Sequence, residues 1–125
     1  MNPKLFKSIL RDHSQTSFQG KIVVRKEAQK TEAYQLNNNL LLNSNAKANS
    51  KPNLEISADD VKASHGATVG KLNKDQLFYL KTRGYDEIGA QNVLMSSFAQ
   101  DVINQVPVSL QDDINSHMNA YKIGR

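Results

Sequence analysis

The chain contains no cysteine and no tryptophan. Without thiols it can form no disulfide, offer no thiolate nucleophile and supply none of the sulfur ligands that iron–sulfur clusters and structural zinc prefer. Aromatic residues make up only 6% of its 125 residues, so the core rests on Leu, Ile, Val and Ala rather than on large rings. No stretch approaches the ~20 apolar residues of a membrane helix. The start, Met1-Asn2-Pro3-Lys4-Leu5-Phe6, has neither an apolar segment of secretory length nor an Arg-rich transit pattern, which points to the cytoplasm by default.

Charge is present but uneven. Residues 1–52 carry nine Lys/Arg against three Asp/Glu, and residues 53–125 carry seven against nine. A basic front can bind nucleic acid. Single-strand binders add stacking aromatics, however, and these are scarce here; no helix-turn-helix or RNP-like pattern appears either. A basic nucleic-acid-binding domain is therefore an alternative without a motif.

Apolar positions recur. Phe18, Leu36 and Leu54 coincide at an offset of 18, and a third row continues at an offset of 21, which puts Val24, Leu42 and Ala63 in one ladder with Asn43 pointing outward. Period-2 alternation at Phe18, Gly20, Ile22 and Val24, and again at Leu54 and Ile56, predicts short strands with one buried face. A coil of this length cannot bury its inward face alone, so coils must stack, as in a parallel β-helix. Asn37-Asn38-Asn39 and Asn43-Ser44-Asn45 suit tight corners, because Asn tolerates left-handed backbone and hydrogen-bonds locally. An antiparallel sandwich with coincidental spacing is the competing reading.

Past Leu72 the period changes to about 3.6. Asn73 with Gln76 resembles a capping box, Leu77 and Leu80 share a face, and Gly84 follows as a stop. Asp86 can cap a second helix in which Ala90, Val93, Leu94 and Phe98 form a stripe until Pro107 forbids continuation. Ser109 with Asp112 opens a third helix carrying Leu110, Ile114 and Met118, with Gly124 as its break. The resulting division is an N-terminal fringe, helix or strand, over residues 1–15, β-coils over 16–72 and a helical subdomain over 73–125.

The chemistry-bearing residues are sparse. His13, His65 and His117 are too dispersed for a metal motif, and the first and last are expected to face solvent. Ser64, His65 and Asp60 invite a hydrolase triad, but adjacent residues on a strand point to opposite faces and no nucleophile elbow is present. Gly66-Ala67-Thr68-Val69-Gly70-Lys71 is one residue short of a phosphate loop, with Leu72 in place of the magnesium-binding Ser/Thr; its glycines suit a tight corner instead. No catalytic residue and no metal ligand set emerges. A polysaccharide-active β-helix would need clustered carboxylates, whereas Asp59 and Asp60 are sequence neighbours and Glu55 is the only other one nearby.

Lys51-Pro52-Asn53-Leu54-Glu55-Ile56, Ala58-Asp59-Asp60-Val61-Lys62, Ser64-His65-Gly66-Ala67-Thr68-Val69-Gly70 and Leu77-Phe78-Tyr79-Leu80-Lys81-Thr82-Arg83-Gly84 together closely resemble the C-terminal part of the SufB/SufD family of iron–sulfur cluster assembly scaffolds. The similarity extends upstream through Phe18–Ile22 and Ala28–Gln35. Ser64-His65-Gly66-Ala67-Thr68 looks like SufD rather than SufB.

This resemblance implies the last coils of a right-handed parallel β-helix followed by a C-terminal three-helix subdomain. It implies a non-enzymatic scaffold whose partners are a SufB-like scaffold, met along β-helix edges, and a SufC-type ATPase, docked by the helices. His65 matches the histidine implicated in building the nascent cluster at the scaffold interface. Ala63 departs from the family, which commonly has Cys two residues before that histidine. The isolated chain is thus expected to hold no cofactor, with a cluster contacting it only in a complex. Family members are also considerably longer, so the first coil here is expected to expose strand edges that can recruit another copy. Phe78, Tyr79 and Arg83 are the docking candidates for the ATPase, with packing of the two rings on the last β-coil as the competing role.

Overall fold

The structure, a computed structural model, describes residues 4–122. Five strands come first: β1 (Lys4–Leu10), β2 (Gln15–Val24), β3 (Glu32–Leu41), β4 (Lys47–Ile56) and β5 (Lys62–Lys71). Three helices follow: α1 (Lys74–Thr82), α2 (Glu87–Ile103) and α3 (Val108–Asn119). Contacts divide the chain into two compact units after Lys71.

In the first unit the strands alternate between two open sheets, β1-β3-β5 and β2-β4. Every pairing is parallel, which removes the antiparallel alternative. Ile22 pairs with Leu54 and Val24 with Ile56, so the alternation legible in the sequence is the alternation of the sheet. The repeat length is different. Lys4 pairs with Gln35, Gln15 with Lys47 and Glu32 with Lys62, offsets of 31, 32 and 30 residues rather than 18 to 21. Each repeat holds two strands, one per sheet. An offset of 18 carries Phe18 of β2 onto Leu36 of β3, which lie in different sheets and never pair. The ladder expected through Val24, Leu42 and Ala63 is accordingly absent: Val24 pairs with Ile56 and Ala63 with Ala33. Leu42 instead follows β3 and donates its N–H to the Leu10 carbonyl at 2.8 Å. Asn43 is a half-buried turn residue whose Oδ1 is enclosed, not an outward strand residue.

The two sheets meet across an interior. The rings of Phe6 on β1 and Phe18 on β2 lie 4.9 Å apart, and Gly20 on β2 abuts the carboxamide of Gln35 on β3. A Cβ at Gly20 would come within 2.6 Å of Gln35 Cδ, so any side chain here would have to displace the buried Gln35 carboxamide. Leu10, Val24, Leu40, Ala46 and Ala58 are the buried apolar residues of this unit.

Asn37 and Asn39 do not form a corner. They lie within β3 and are 4% and 3% exposed, in one row with buried Gln35. Burial of carboxamides is tolerated because they satisfy one another and the neighbouring strands. Asn39 Nδ2 donates to Asn37 Oδ1 at 2.9 Å and to the Thr68 carbonyl at 3.1 Å, while Ser8 Oγ donates to Asn39 Oδ1. One side chain thereby ties β1, β3 and β5 together. Gly66 and Gly70 are likewise strand residues of β5, not corner residues, and neither has a positive φ. The segment Asn43–Asn45 does occupy a turn.

Residues 4–10, set apart as a fringe on sequence grounds, form β1 and pair with β3 along their whole length.

The helical unit follows its caps. Asn73 Oδ1 accepts from the Gln76 N–H at 3.0 Å, and Asp86 Oδ1 from the Gly89 N–H at 2.7 Å. α1 ends on Gly84 at φ 101°, where the Gly84 and Tyr85 N–H groups donate to the Lys81 and Leu80 carbonyls, a Schellman arrangement. α3 begins at Val108 with Pro107 in the cap position and no side-chain cap bond, so Ser109 lies inside the first turn rather than opening it. The Gly124 break lies outside the described residues. α2 buries Ala90, Met95 and Ile103; neither α1 nor α3 buries a residue fully. No helix among the described residues is long and apolar enough to cross a membrane.

Candidate functional site

His65 lies on β5, in register with Gln35 of β3 and, one strand further, with Lys4 of β1. Its parity places it on the same side of the sheet as the buried carboxamide row. It is nevertheless exposed, because β5 ends the order of its sheet and the opposite sheet stops at β4. Ser64 is the register partner of Tyr34, so it occupies the opposite face from His65, and the two cannot cooperate as nucleophile and base. Ala63 pairs with Ala33, and its methyl group offers no ligand atom. Among the described residues no three His, Asp, Glu or Cys side chains converge on a point that could hold a metal ion.

Two acidic residues near this strand have defined partners. Glu55 pairs with Lys21 at 2.7 Å across β4 and β2. Asp60 is held through its backbone, its N–H donating to Gln29 Oε1 at 2.9 Å and its carbonyl accepting from Lys30. His13 and His117 face solvent, as expected from their isolation in the sequence.

A second surface lies on the helices. Phe78 is 70% and Tyr79 56% exposed, far more than large rings usually are in a packed unit. The Arg83 guanidinium sits over the Tyr79 ring at 5.1 Å, one turn further along α1. Tyr79 also lines a groove of about 320 Å³ between α1 and α2, with Asp75, Gln76, Leu80, Val93 and Leu94. Phe78 is not among those lining residues. The α1–α2 corner is braced by an ion pair between Lys81 and Glu87. On α3 a further groove runs along Ile114, His117, Met118 and Tyr121. The sequence showed the apolar positions of α3 by their i, i+4 spacing, but it carried no sign that Val93 and Leu94 would face Tyr79 across a groove.

Parallel strands paired at offsets of 30–32 residues, with a terminal strand left open and three helices after it, define a stacked-strand protein with a helical extension. The chain belongs to the SufBD core family: the family model described as "SUF system FeS cluster assembly, SufBD core domain" matches residues 3–98. It is 44% identical over 106 residues to an iron–sulfur cluster assembly SufBD family protein of Synechocystis, covering 85% of this chain. It is 44% identical over 99 residues to the iron–sulfur cluster assembly protein SufD of Escherichia coli, covering 79%. To the chloroplastic protein ABCI7 of Arabidopsis thaliana it is 46% identical over 105 residues, covering 83%. The chain spans only 22–23% of the length of these three relatives.

Proposed function

We propose that this chain does the work of the C-terminal part of a SufD-type scaffold: a non-enzymatic, cytoplasmic component of iron–sulfur cluster assembly that acts through protein contacts. The observation carrying this reading is the family match over residues 3–98, which runs through all five strands and into α2. The strands are then the last coils of a right-handed parallel β-helix, a reading supported by their alternation between two parallel sheets at a near-constant offset.

In this reading the open edge at β5 meets a SufB-like scaffold, and His65 stands at that interface where the cluster is built as cargo. A neutral imidazole can offer one nitrogen to iron. With Ala63 two residues before it, the thiolates must come from the partner. The helical surface docks a SufC-type ATPase. Tyr and Arg are the residue types that dominate interface energetics, and Tyr79 with Arg83 stacked on it forms a preordered anchor beside an apolar groove.

Calorimetric titration of a SufC-type ATPase into the wild-type chain and its Tyr79→Ala and Arg83→Ala variants tests the docking half. Each substitution should weaken binding by at least about 1–2 kcal/mol while leaving the melting temperature within a few degrees. Unchanged affinity in folded variants would remove α1 from the interface.

A further inference from the structure

Leu110, Ile114, His117 and Tyr121 follow one another along α3 and the turn after it at spacings of four, three and four, the rhythm of a seam that meets another helix. The seam is open. Leu110 is 51% and Tyr121 66% exposed, and the groove along Asp113, Ile114, His117, Met118 and Tyr121 has a volume of about 350 Å³. α3 lies beyond the residues 3–98 that the family model matches and contains neither Tyr79 nor Arg83, so the docking of an ATPase on α1 leaves this stripe unused.

Charge along the stripe has a direction. Asp113 stands on the N-terminal side of its midpoint and His117 on the C-terminal side, and both side chains are exposed. His117 Nδ1 lies 2.9 Å from the Asp113 carbonyl of its own helix, which leaves the other ring nitrogen, Nε2, for a second carboxylate.

We propose that this stripe is a dimer seam, in which α3 of one copy packs antiparallel on α3 of a second copy. Leu110 of each copy then meets Tyr121 of the other, Ile114 meets His117, and Asp113 flanks His117, so every contact forms twice. Parallel pairing would set Asp113 beside Asp113 and His117 beside His117. Opposed helix dipoles favour the antiparallel direction as well. A polar residue within an otherwise apolar seam fixes register and orientation at a cost in stability, which is the part His117 plays. A helix of 12 residues offers less than the ~800 Å² per partner of a standard interface, so the dimer is a transient one.

Sedimentation equilibrium of the full chain tests the seam. Wild type should dimerise with a Kd below about 1 mM. Leu110→Asp should weaken association at least about tenfold. His117→Glu should do the same, because four carboxylates then converge on the middle of the seam. Adding Asp113→Lys to His117→Glu restores opposite charges across both contacts and should return the affinity to within about threefold of wild type. That rescue separates a paired seam from general adhesion of exposed apolar side chains. Wild type that stays monomeric up to about 1 mM, association unmoved by Leu110→Asp, or a double variant as weak as His117→Glu overturns the proposal. Should the charge variants melt early, Leu110→Ser decides, and unchanged dimerisation overturns the proposal. Tyr79→Ala and Arg83→Ala should dimerise as wild type does, so failure of the ATPase docking surface and failure of this seam are told apart.

Discussion

β3 and β5 are neighbours in one sheet and run in strict register, yet their inward positions have opposite fates. Gln35, Asn37 and Asn39 are buried on β3, whereas His65, Ala67 and Val69, their partners on β5, are exposed. The carboxamides are inside and the valine is outside, the reverse of what hydropathy suggests. Burial in a stacked fold is set by what lies beyond a strand, not by its own side chains. β3 has a strand on each side and a facing sheet; β5 ends its sheet, and the facing sheet stops one strand short.

Two glycines give the sharpest contrast. Gly20→Val would force the buried Gln35 carboxamide aside and should cost about 1–3 kcal/mol. Gly70→Val on β5 meets nothing within 4 Å and should be neutral or stabilising by up to about 1 kcal/mol, because valine suits an extended strand better than glycine. Thermal melting of the pair checks both; similar losses would show that β5 is as enclosed as β3. Next comes the register pair Asn39 and Val69. Asn39→Ala removes the group that joins Ser8, Asn37 and the Thr68 carbonyl, and should cost about 2 kcal/mol. Val69→Ala should stay within about 0.5 kcal/mol. Urea unfolding distinguishes them, and equal midpoints would break the comparison. Smallest is the hydroxyl pair. Ser8→Ala deletes a bond to a buried acceptor and should cost about 1 kcal/mol, while Thr68→Val deletes an exposed bond to Asn38 and should change stability by less than about 0.5 kcal/mol.

The same contrast explains what could be read in the sequence. Alternation at Phe18, Gly20, Ile22 and Val24 is a local property and was legible, as were the caps at Asn73 and Asp86 and the stop at Gly84, each of which depends on a few adjacent residues. The repeat length was not, because matching apolar residues aligns any two inward rows, including rows of different sheets. The cue lay in Ile22 and Val24 recurring as Leu54 and Ile56, 32 residues on. Composition suggests a corner at Asn37 and Asn39 because asparagine's preference for turns is statistical, whereas its burial here comes from partners 29 to 31 residues away. His65 stands out by its motif, but its exposure depends on a strand that is missing opposite it. The α1–α2 groove depends on which side chains of two helices meet, and spacing along one helix cannot show that.

Alternation between sheets also shapes how the chain reaches this state. β1 and β2, or β3 and β4, follow each other in sequence and never share a ladder, so the described residues of this unit contain no hairpin from which pairing could start. The first ladder bond must close a loop of about 30 residues, at a chain-entropy cost of about 3 kcal/mol beyond a length-independent constant. Helical turns closed by bonds four residues apart carry no such burden. In refolding from denaturant, α1 to α3 should gain helical signal well before strand amides gain protection, and the strand phase should quicken when the turn over residues 25–31 is shortened.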